Sequence, residues 1–362
     1  MSEEIIAFTR GIPATESFPI QKLITCSQEV LAHHGKAILQ YGKGAGYLPL
    51  RERIAEQYKV KADNIIIGQG SLQIVDHICR VRAHQGDQII VEQPTYDRVL
   101  TLLRRTPVNI VGMNMDEDGV DVDALRGWLQ KNPKPNFLYA IPDFQNPSGI
   151  VYSLEKRRAL LDLADHFDFL IIEDAPYREL RYEGKSLPSL FDLSPERVIH
   201  LSSFSKTISP GLRVGYAIAP LALAQELASF AEGTYINVSA LNQAIVECFI
   251  SHGWFERNMQ KLKELYYPRL LTLLESLDVT MQNYGIWDKP QGGFFVGMHL
   301  RKTVNFDDLL EQCAFNGLAI SDGRGFFVQG GEDFIRLPFC ALQSDELVDG
   351  IHRLTKALKT IF

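Results

Sequence analysis

Between residues 64 and 219 the chain repeats one pattern, a short run rich in Ile, Val and Leu followed by a longer segment with helical spacing. Apolar runs at 64–68, 88–92, 137–141, 169–173, 198–201 and 214–218 read as strands, and 71–82 reads as the helix after the first of them. Runs that are apolar at successive positions suit strands covered on both faces. The pattern therefore predicts an α/β fold with a mostly parallel central sheet sandwiched by helices. In such sheets ligands bind beyond the carboxyl ends of the strands, so functional residues are expected there.

A long helical stretch near 256–274 leads to a second region, with short strands at 293–297, 318–321 and 334–337 and helices at 305–316 and 344–359. This reads as a smaller α/β unit. At 362 residues the chain suits about two domains. The expected division is an N-terminal arm (1–40) packing with the small domain, a large domain (41–260) and a small C-terminal domain (261–362). No repeat or flexible linker interrupts the chain, so a cleft between closely packed units is expected. A net charge of -7 gives no general electrostatic reason to bind nucleic acid, which points to a small-molecule partner. Five scattered cysteines form no C-x-x-C pair and suggest neither a disulfide framework nor a metal site. The acidic start Met1-Ser2-Glu3-Glu4 lacks the basic and apolar parts of a secretory signal, and no run approaches a membrane span. A cytoplasmic protein is expected.

One segment at the end of a predicted strand gathers unusual chemistry. Ser202, Ser203, Ser205, Lys206, Thr207, Ser209, Gly211 and Arg213 place an amine among hydroxyls, a glycine and a guanidinium. A lysine can condense with an aldehyde to form a Schiff base, and a neighbouring site for a phosphate dianion is what pyridoxal 5'-phosphate (PLP) requires. A surface turn with a solvated lysine is the plain alternative.

Other segments offer similar choices. Asp174, closing the run 169–173, can pair with a protonated pyridine nitrogen or cap a turn. Asn146 lies among turn formers, yet its amide, with the hydroxyl of Tyr177, can donate to a phenolate oxygen. Gly68, Gly70 and Ser71 open a helix directly after a strand, where free backbone amides favour an anion. The same segment begins a dinucleotide fingerprint, with Gln73 where its third glycine belongs and Glu92 at the distance of a ribose-binding acid. A nicotinamide-dependent oxidoreductase is thus a competing reading. Tyr96 follows a strand end, where its ring can stack on a planar cofactor or simply pack. Arg336, inside an apolar run, needs an anionic partner, either a substrate carboxylate or an internal acid.

Taken in order, these residues resemble the fold type I PLP-dependent aminotransferases of class I/II, including the aminoadipate and kynurenine aminotransferases and the catalytic domain of MocR regulators. The resemblance covers nearly the whole chain. It rests on Gly11-Ile12-Pro13, Gln40-Tyr41-Gly42, Gly70-Ser71, Pro94-Thr95-Tyr96, Gln145-Asn146-Pro147, Asp174-Ala175-Pro176-Tyr177, Ser203-Phe204-Ser205-Lys206, Gly211-Leu212-Arg213 and Arg336-Leu337. It implies that 41–260 is the PLP-binding domain and that Lys206 anchors the cofactor and then moves a proton. Asp174 is implied at the pyridine nitrogen, Asn146 and Tyr177 at the phenolic oxygen, and Tyr96 against the ring. Ser203, Ser205, Arg213 and the amides of Gly70, Ser71 and Leu72 are implied at the phosphate. Arg336 is implied at the substrate α-carboxylate, with Asn146 and Gly11 beside it. Tyr41 is implied at the phosphate of a neighbouring subunit, hence a homodimer with its active sites at the interface.

The implied reaction moves an amino group from an L-amino acid to a 2-oxo acid by a ping-pong mechanism. Amino-acid oxidases and C-S lyases share the anchor residues and are the nearest competing chemistries. A MocR regulator carries a DNA-binding domain ahead of the segment that here starts at Gly11, so DNA binding is not expected. Phe18, Tyr41, Tyr96, Phe294, Phe326 and Phe339 are candidates for an aromatic side-chain pocket, and Arg10 is a candidate for an acidic one.

Overall fold

The computed structural model describes residues 5–362, so the acidic start at 1–4, including the first residues of the expected N-terminal arm, lies outside the described residues. Thirteen strands occur among them: β1 (Ile6–Phe8), β2 (Ile65–Gly68), β3 (Gln88–Gln93), β4 (Asn109–Asp116), β5 (Gly119–Val120), β6 (Phe137–Ala140), β7 (Leu170–Asp174), β8 (Val198–Ser203), β9 (Gly215–Ile218), β10 (Gly285–Trp287), β11 (Phe295–Leu300), β12 (Leu318–Ile320) and β13 (Phe334–Pro338). Eight form one sheet in the order β2-β9-β8-β7-β6-β3-β4-β5. The inner strands β6, β7 and β8 are buried along almost their whole length, as the unbroken apolar runs predict.

Strands β4, β3, β6, β7 and β8 are mutually parallel, and β9 is antiparallel to both β8 and β2. The carboxyl ends of β2, β3, β6, β7 and β8 therefore share one edge of the sheet with the amino end of β9. Strand β2 lies at one end of the sheet, with β9, β8, β7 and β6 between it and β3. The glycines after β2 thus do not open the compact parallel β-α-β unit that a dinucleotide fingerprint requires. Gln73 is helical and its side chain accepts the Gln69 amide at 2.6 Å, while Glu92 is buried and accepts the Ile141 amide, the Gln145 side chain and the Tyr152 hydroxyl. The nicotinamide reading has no geometric support here.

A second core surrounds the antiparallel sheet β10-β11-β13. The expected strand at 318–321 forms as β12 but pairs in parallel with β1 instead of joining that sheet. The N-terminal arm divides between this second core and the larger of the two that cover the faces of the eight-stranded sheet. Ile6, Phe8 and Ala14 pack into the smaller core, whereas Cys26, Val30 and Ile38 of the helix Ile20–Ile38 pack into the larger one. The physical reason is the apolar face of that helix, which lies against the helix Ala240–Ser251. The helix Trp254–Thr280 joins the cores, Trp254 and Phe255 packing on the larger, and Met259, Leu262 and Tyr266 lying in the smaller. No helix among the described residues is long and apolar enough to cross a membrane.

Candidate active site

Where the carboxyl edge of the large sheet meets β1, β11, β12 and β13, the chain encloses a cavity of about 700 Å3. Its walls carry Gly11, Gly70, Ser71, Leu72, Tyr96, Asn146, Asp174, Tyr177, Ser203, Ser205, Lys206, Arg213 and Arg336. Every residue expected at the site except Tyr41 is therefore present. They come from segments far apart in the chain, so their convergence is a tertiary fact rather than a local one.

Lys206 stands on a tight turn directly after β8, where the Thr207 and Ile208 amides donate back to the Phe204 carbonyl. Its Nζ donates to the Gly11 carbonyl at 2.6 Å. Burial pushes its pKa down from 10.5 to about 8, the nearby guanidiniums of Arg336 and Arg213 acting in the same direction.

Asp174 ends β7 and is buried. Its Oδ2 accepts the Tyr139 hydroxyl at 2.7 Å, while Oδ1 has no hydrogen-bond partner among the described residues. Burial raises its pKa from 3.8 to about 6, against the opposing effects of the Tyr139 hydrogen bond, His200 and the Ser71 hydroxyl. A buried carboxylate oxygen without a partner is costly, and it points to a ligand donor.

Beside Lys206 lies an anion cradle. Gly70, at φ 85, is the N-cap of the helix Ser71–Arg82, so the first-turn amides are open to the cavity. The Ser203 and Ser205 hydroxyls lie 2.9 Å apart. Arg213 precedes antiparallel β9 and so reaches the same edge, its Nη2 donating to the Gln69 carbonyl at 2.7 Å. A Cβ on Gly70 would sit 2.7 Å from that Nη2, so the close approach of guanidinium and helix start needs glycine.

Across the cavity Asn146 follows β6. Its Nδ2 donates to the Tyr177 hydroxyl at 3.5 Å and its Oδ1 accepts Arg336 Nη1 at 3.0 Å. Arg336, on β13, also donates through Nη2 to the Thr9 carbonyl at 2.7 Å and the Ser321 hydroxyl at 3.2 Å. Its Nε is buried without a partner, and no carboxylate among the described residues pairs with it. The internal-acid alternative is therefore not what the fold uses. Tyr96 caps the helix Asp97–Leu103 and lies in the cavity wall.

Tyr41 stands apart from the cavity with 77% of its surface exposed. Of the other aromatic candidates, Phe326 and Tyr96 line the cavity. Phe339 and Phe294 are core residues, Phe18 lines a separate surface groove, and Phe295 takes the wall position next to Phe294. Strand pleating decides this last exchange. Tyr139, Thr9 and Ser321 join the site without a sequence signal. Tyr139 reads as a core strand residue, and Thr9 acts through its carbonyl, which every residue carries.

The residues fit PLP. Asp174, one of whose carboxylate oxygens is buried without a partner, lines the cavity; an amine shifted toward neutrality lines it too, and hydroxyls, amides and a guanidinium cluster beside that amine. Such an assembly defines an enzyme that acts through a lysine and a bound anionic group. Residues 3–354 match the family model described as aminotransferase class I and II. The chain is 34% identical over 360 residues to a 2-aminoadipate transaminase of Thermus thermophilus, covering 98% of this chain and 90% of that protein. It is 33% identical to aromatic-amino-acid aminotransferase 1 of Thermococcus litoralis, covering 99% and 89%. The solved structure of an alpha-aminoadipate aminotransferase from Thermus thermophilus, complexed with N-(5'-phosphopyridoxyl)-L-leucine, matches at a TM-score of 0.94 and 33% identity, covering 99% of this chain and 93% of that one. The chain belongs to aminotransferase class I and II, and it is an aminotransferase.

Proposed function

We propose that this aminotransferase uses pyridoxal 5'-phosphate and moves an amino group from an L-amino acid to a 2-oxo acid in two half-reactions. The observation that carries the reading is the unpartnered Asp174 Oδ1 in the same cavity as the Lys206 amine. When bound, the cofactor supplies an electron sink for the pair left at the substrate α-carbon. Asp174 would hold its pyridine nitrogen, Asn146 and Tyr177 its phenolic oxygen, and Tyr96 its ring face. Ser203, Ser205, Arg213 and the amides of Gly70, Ser71 and Leu72 would hold its phosphate.

With a pKa near 8, Lys206 is partly uncharged at neutral pH, the form that attacks a carbonyl and accepts a proton at Nζ. Nζ takes the proton from the substrate α-carbon and later returns one. Arg336 binds the α-carboxylate, its free Nε and cation favouring an anion, while Asn146 and the Gly11 backbone orient the substrate. The surrounding walls limit water, which strengthens each of these charge contacts.

We also read the chain as an arm (1–40), a large cofactor-binding domain (41–260) and a small domain (261–362), a division supported by the separate core around β10-β11-β13 and those on the two faces of the eight-stranded sheet. A homodimer is supported by the exposed apolar residues Ile20, Ile24, Leu39 and Tyr41, with Tyr41 reaching a neighbouring subunit's phosphate site. A cytoplasmic location accords with five unbridged cysteines. Initial rates test the reaction directly. Parallel double-reciprocal lines across a series of 2-oxo acid concentrations are expected, and intersecting lines contradict the two-half-reaction scheme.

A further inference from the structure

Away from the cavity, two packed helices bring three metal-ligating side chains together. Glu29 stands on the helix Ile20–Ile38, and Cys248 and His252 stand four positions apart at the end of the helix Ala240–Ser251. Residue 252 is the C-cap and keeps helical torsions, so Cys248 and His252 share one face. Cys248 Sγ lies 3.5 Å from Glu29 Oε2, and His252 Nε2 lies 2.8 Å from the same oxygen. The three ligand atoms all lie within 4.8 Å of one another. None of these residues lines the cavity that holds Lys206.

The donor set selects the ion. Thiolate, imidazole and carboxylate are zinc ligands, with bonds of about 2.0–2.3 Å, and a tetrahedral ion separates such ligands by about 3.3–3.7 Å. The Cys248–Glu29 spacing of 3.5 Å fits, and the His252–Glu29 spacing of 2.8 Å needs to open by about half an ångström. His252 has room for this, because 37% of its side chain and 41% of that of Glu29 are exposed, which also gives an ion its entry path. Trp254 stacks on the imidazole at 4.3 Å between ring centroids and fixes its plane. On the buried side, the thiols of Cys26 and Cys248 are in hydrogen-bond contact. The Cys26 thiol is thus placed to donate to the Cys248 sulfur once that is a thiolate. An exposed Glu–His pair uses no soft donor, and two stand here. Calcium and magnesium need several oxygen ligands, and the set offers one carboxylate.

We propose that Glu29, Cys248 and His252 bind a zinc ion whose fourth position is open to water, and that this ion staples the N-terminal helix to the large domain. Its ligands stand 219 and 223 positions apart in the chain, so only the folded chain assembles them and binding stabilises that state. The same separation explains why cysteine spacing in the sequence suggests no metal site.

The test uses the reduced, PLP-loaded full chain after chelator treatment and dialysis. Titration with Zn2+ in competition with a chromophoric chelator is expected to show one ion per chain, and Cys248→Ser and His252→Gln each to weaken binding about tenfold or more. Co2+ in place of zinc is expected to give wild type a sulfur-to-metal charge-transfer band and the visible bands of a four-coordinate ion. Cys248→Ser should abolish the charge-transfer band, which separates this site from adventitious binding at exposed histidines. Zinc at about 100 times its Kd should raise the unfolding midpoint of wild type by about 3 °C and leave that of His252→Gln, a change at an exposed position, where it was. Absence of zinc binding, an affinity unchanged by both substitutions, or a wild-type cobalt complex without the charge-transfer band overturns the proposal. No readout uses turnover, so a failure of the proposed reaction is distinguishable from a failure of this site.

Discussion

Replacing Asp174 by Asn is expected to stabilise the cofactor-free protein while damaging its function. In the folded chain burial raises the Asp174 pKa to about 6, against 3.8 for an unperturbed carboxyl. A group whose folded pKa is raised binds its proton more tightly in the native state, so the native state is penalised where that group must ionise. The difference of about 2 units, at about 1.4 kcal/mol per unit, makes the penalty about 3 kcal/mol above pH 6. Below pH 3.8 both states are protonated and the penalty is gone. With respect to this group, stability therefore rises as pH falls from about 6 to about 4. Asn carries no charge and still offers an oxygen to the Tyr139 hydroxyl, which now contacts Oδ2 at 2.7 Å. Denaturant unfolding of both cofactor-free proteins across this pH range reads the difference. The Asn variant should exceed wild type by about 3 kcal/mol at about pH 7.5, and the gap should close toward about pH 4. A wild type equal to or more stable than the variant at the higher pH, or a gap independent of pH, refutes the account of Asp174 as a strained buried anion awaiting a partner. Adding PLP should narrow the gap at the higher pH, because the bound ring nitrogen relieves the wild-type charge alone.

Three other perturbations probe the same site. Tyr139→Phe removes the hydrogen bond to Asp174 Oδ2 and should raise the Asp174 pKa by about 1–2 units, moving the midpoint of the pH-dependent stability gap upward by the same amount. Gly70→Ala places a Cβ 2.7 Å from Arg213 Nη2 at a residue with φ 85; phosphate affinity measured by calorimetry should fall about tenfold or more, consistent with about 1–3 kcal/mol of local strain. Lys206→Ala should abolish borohydride-trapped cofactor adducts in intact-mass spectra, and an adduct persisting on another lysine would show that the anchor is elsewhere.

The inner strands are legible in the sequence because burial on both faces leaves no polar alternation in β6, β7 and β8. Strand β4 is not, since its residues are mostly exposed or half-buried and its side chains are mixed. The reversal at β9 is also hidden. Its composition matches that of the parallel strands of the sheet, and only the turn through Pro210–Leu212 sends the chain back along β8. That reversal is what carries Arg213 to the cavity. Single-residue chemistry shows through where unusual groups stand at strand ends, as with Lys206 and Asp174. It fails where function depends on pairing: Tyr139 meets Asp174 across neighbouring strands, and the Thr9 and Gly11 carbonyls meet Arg336 and Lys206 from the far end of the chain. Arg10 is visible as a residue, but its place in the cavity wall is a property of the fold.

The central claim is that the amino group is stored on the protein between two substrates. Its most direct measurement is a single half-reaction: PLP-loaded protein is mixed with excess L-amino acid and no acceptor, and the 2-oxo acid formed is counted against protein chains while the cofactor absorbance is followed. One 2-oxo acid per chain, a stable change in absorbance, and recovery of the original spectrum on adding a different 2-oxo acid are the expected results. Continued product formation without an acceptor, accompanied by oxygen uptake, carbon dioxide or free ammonia, would contradict the account.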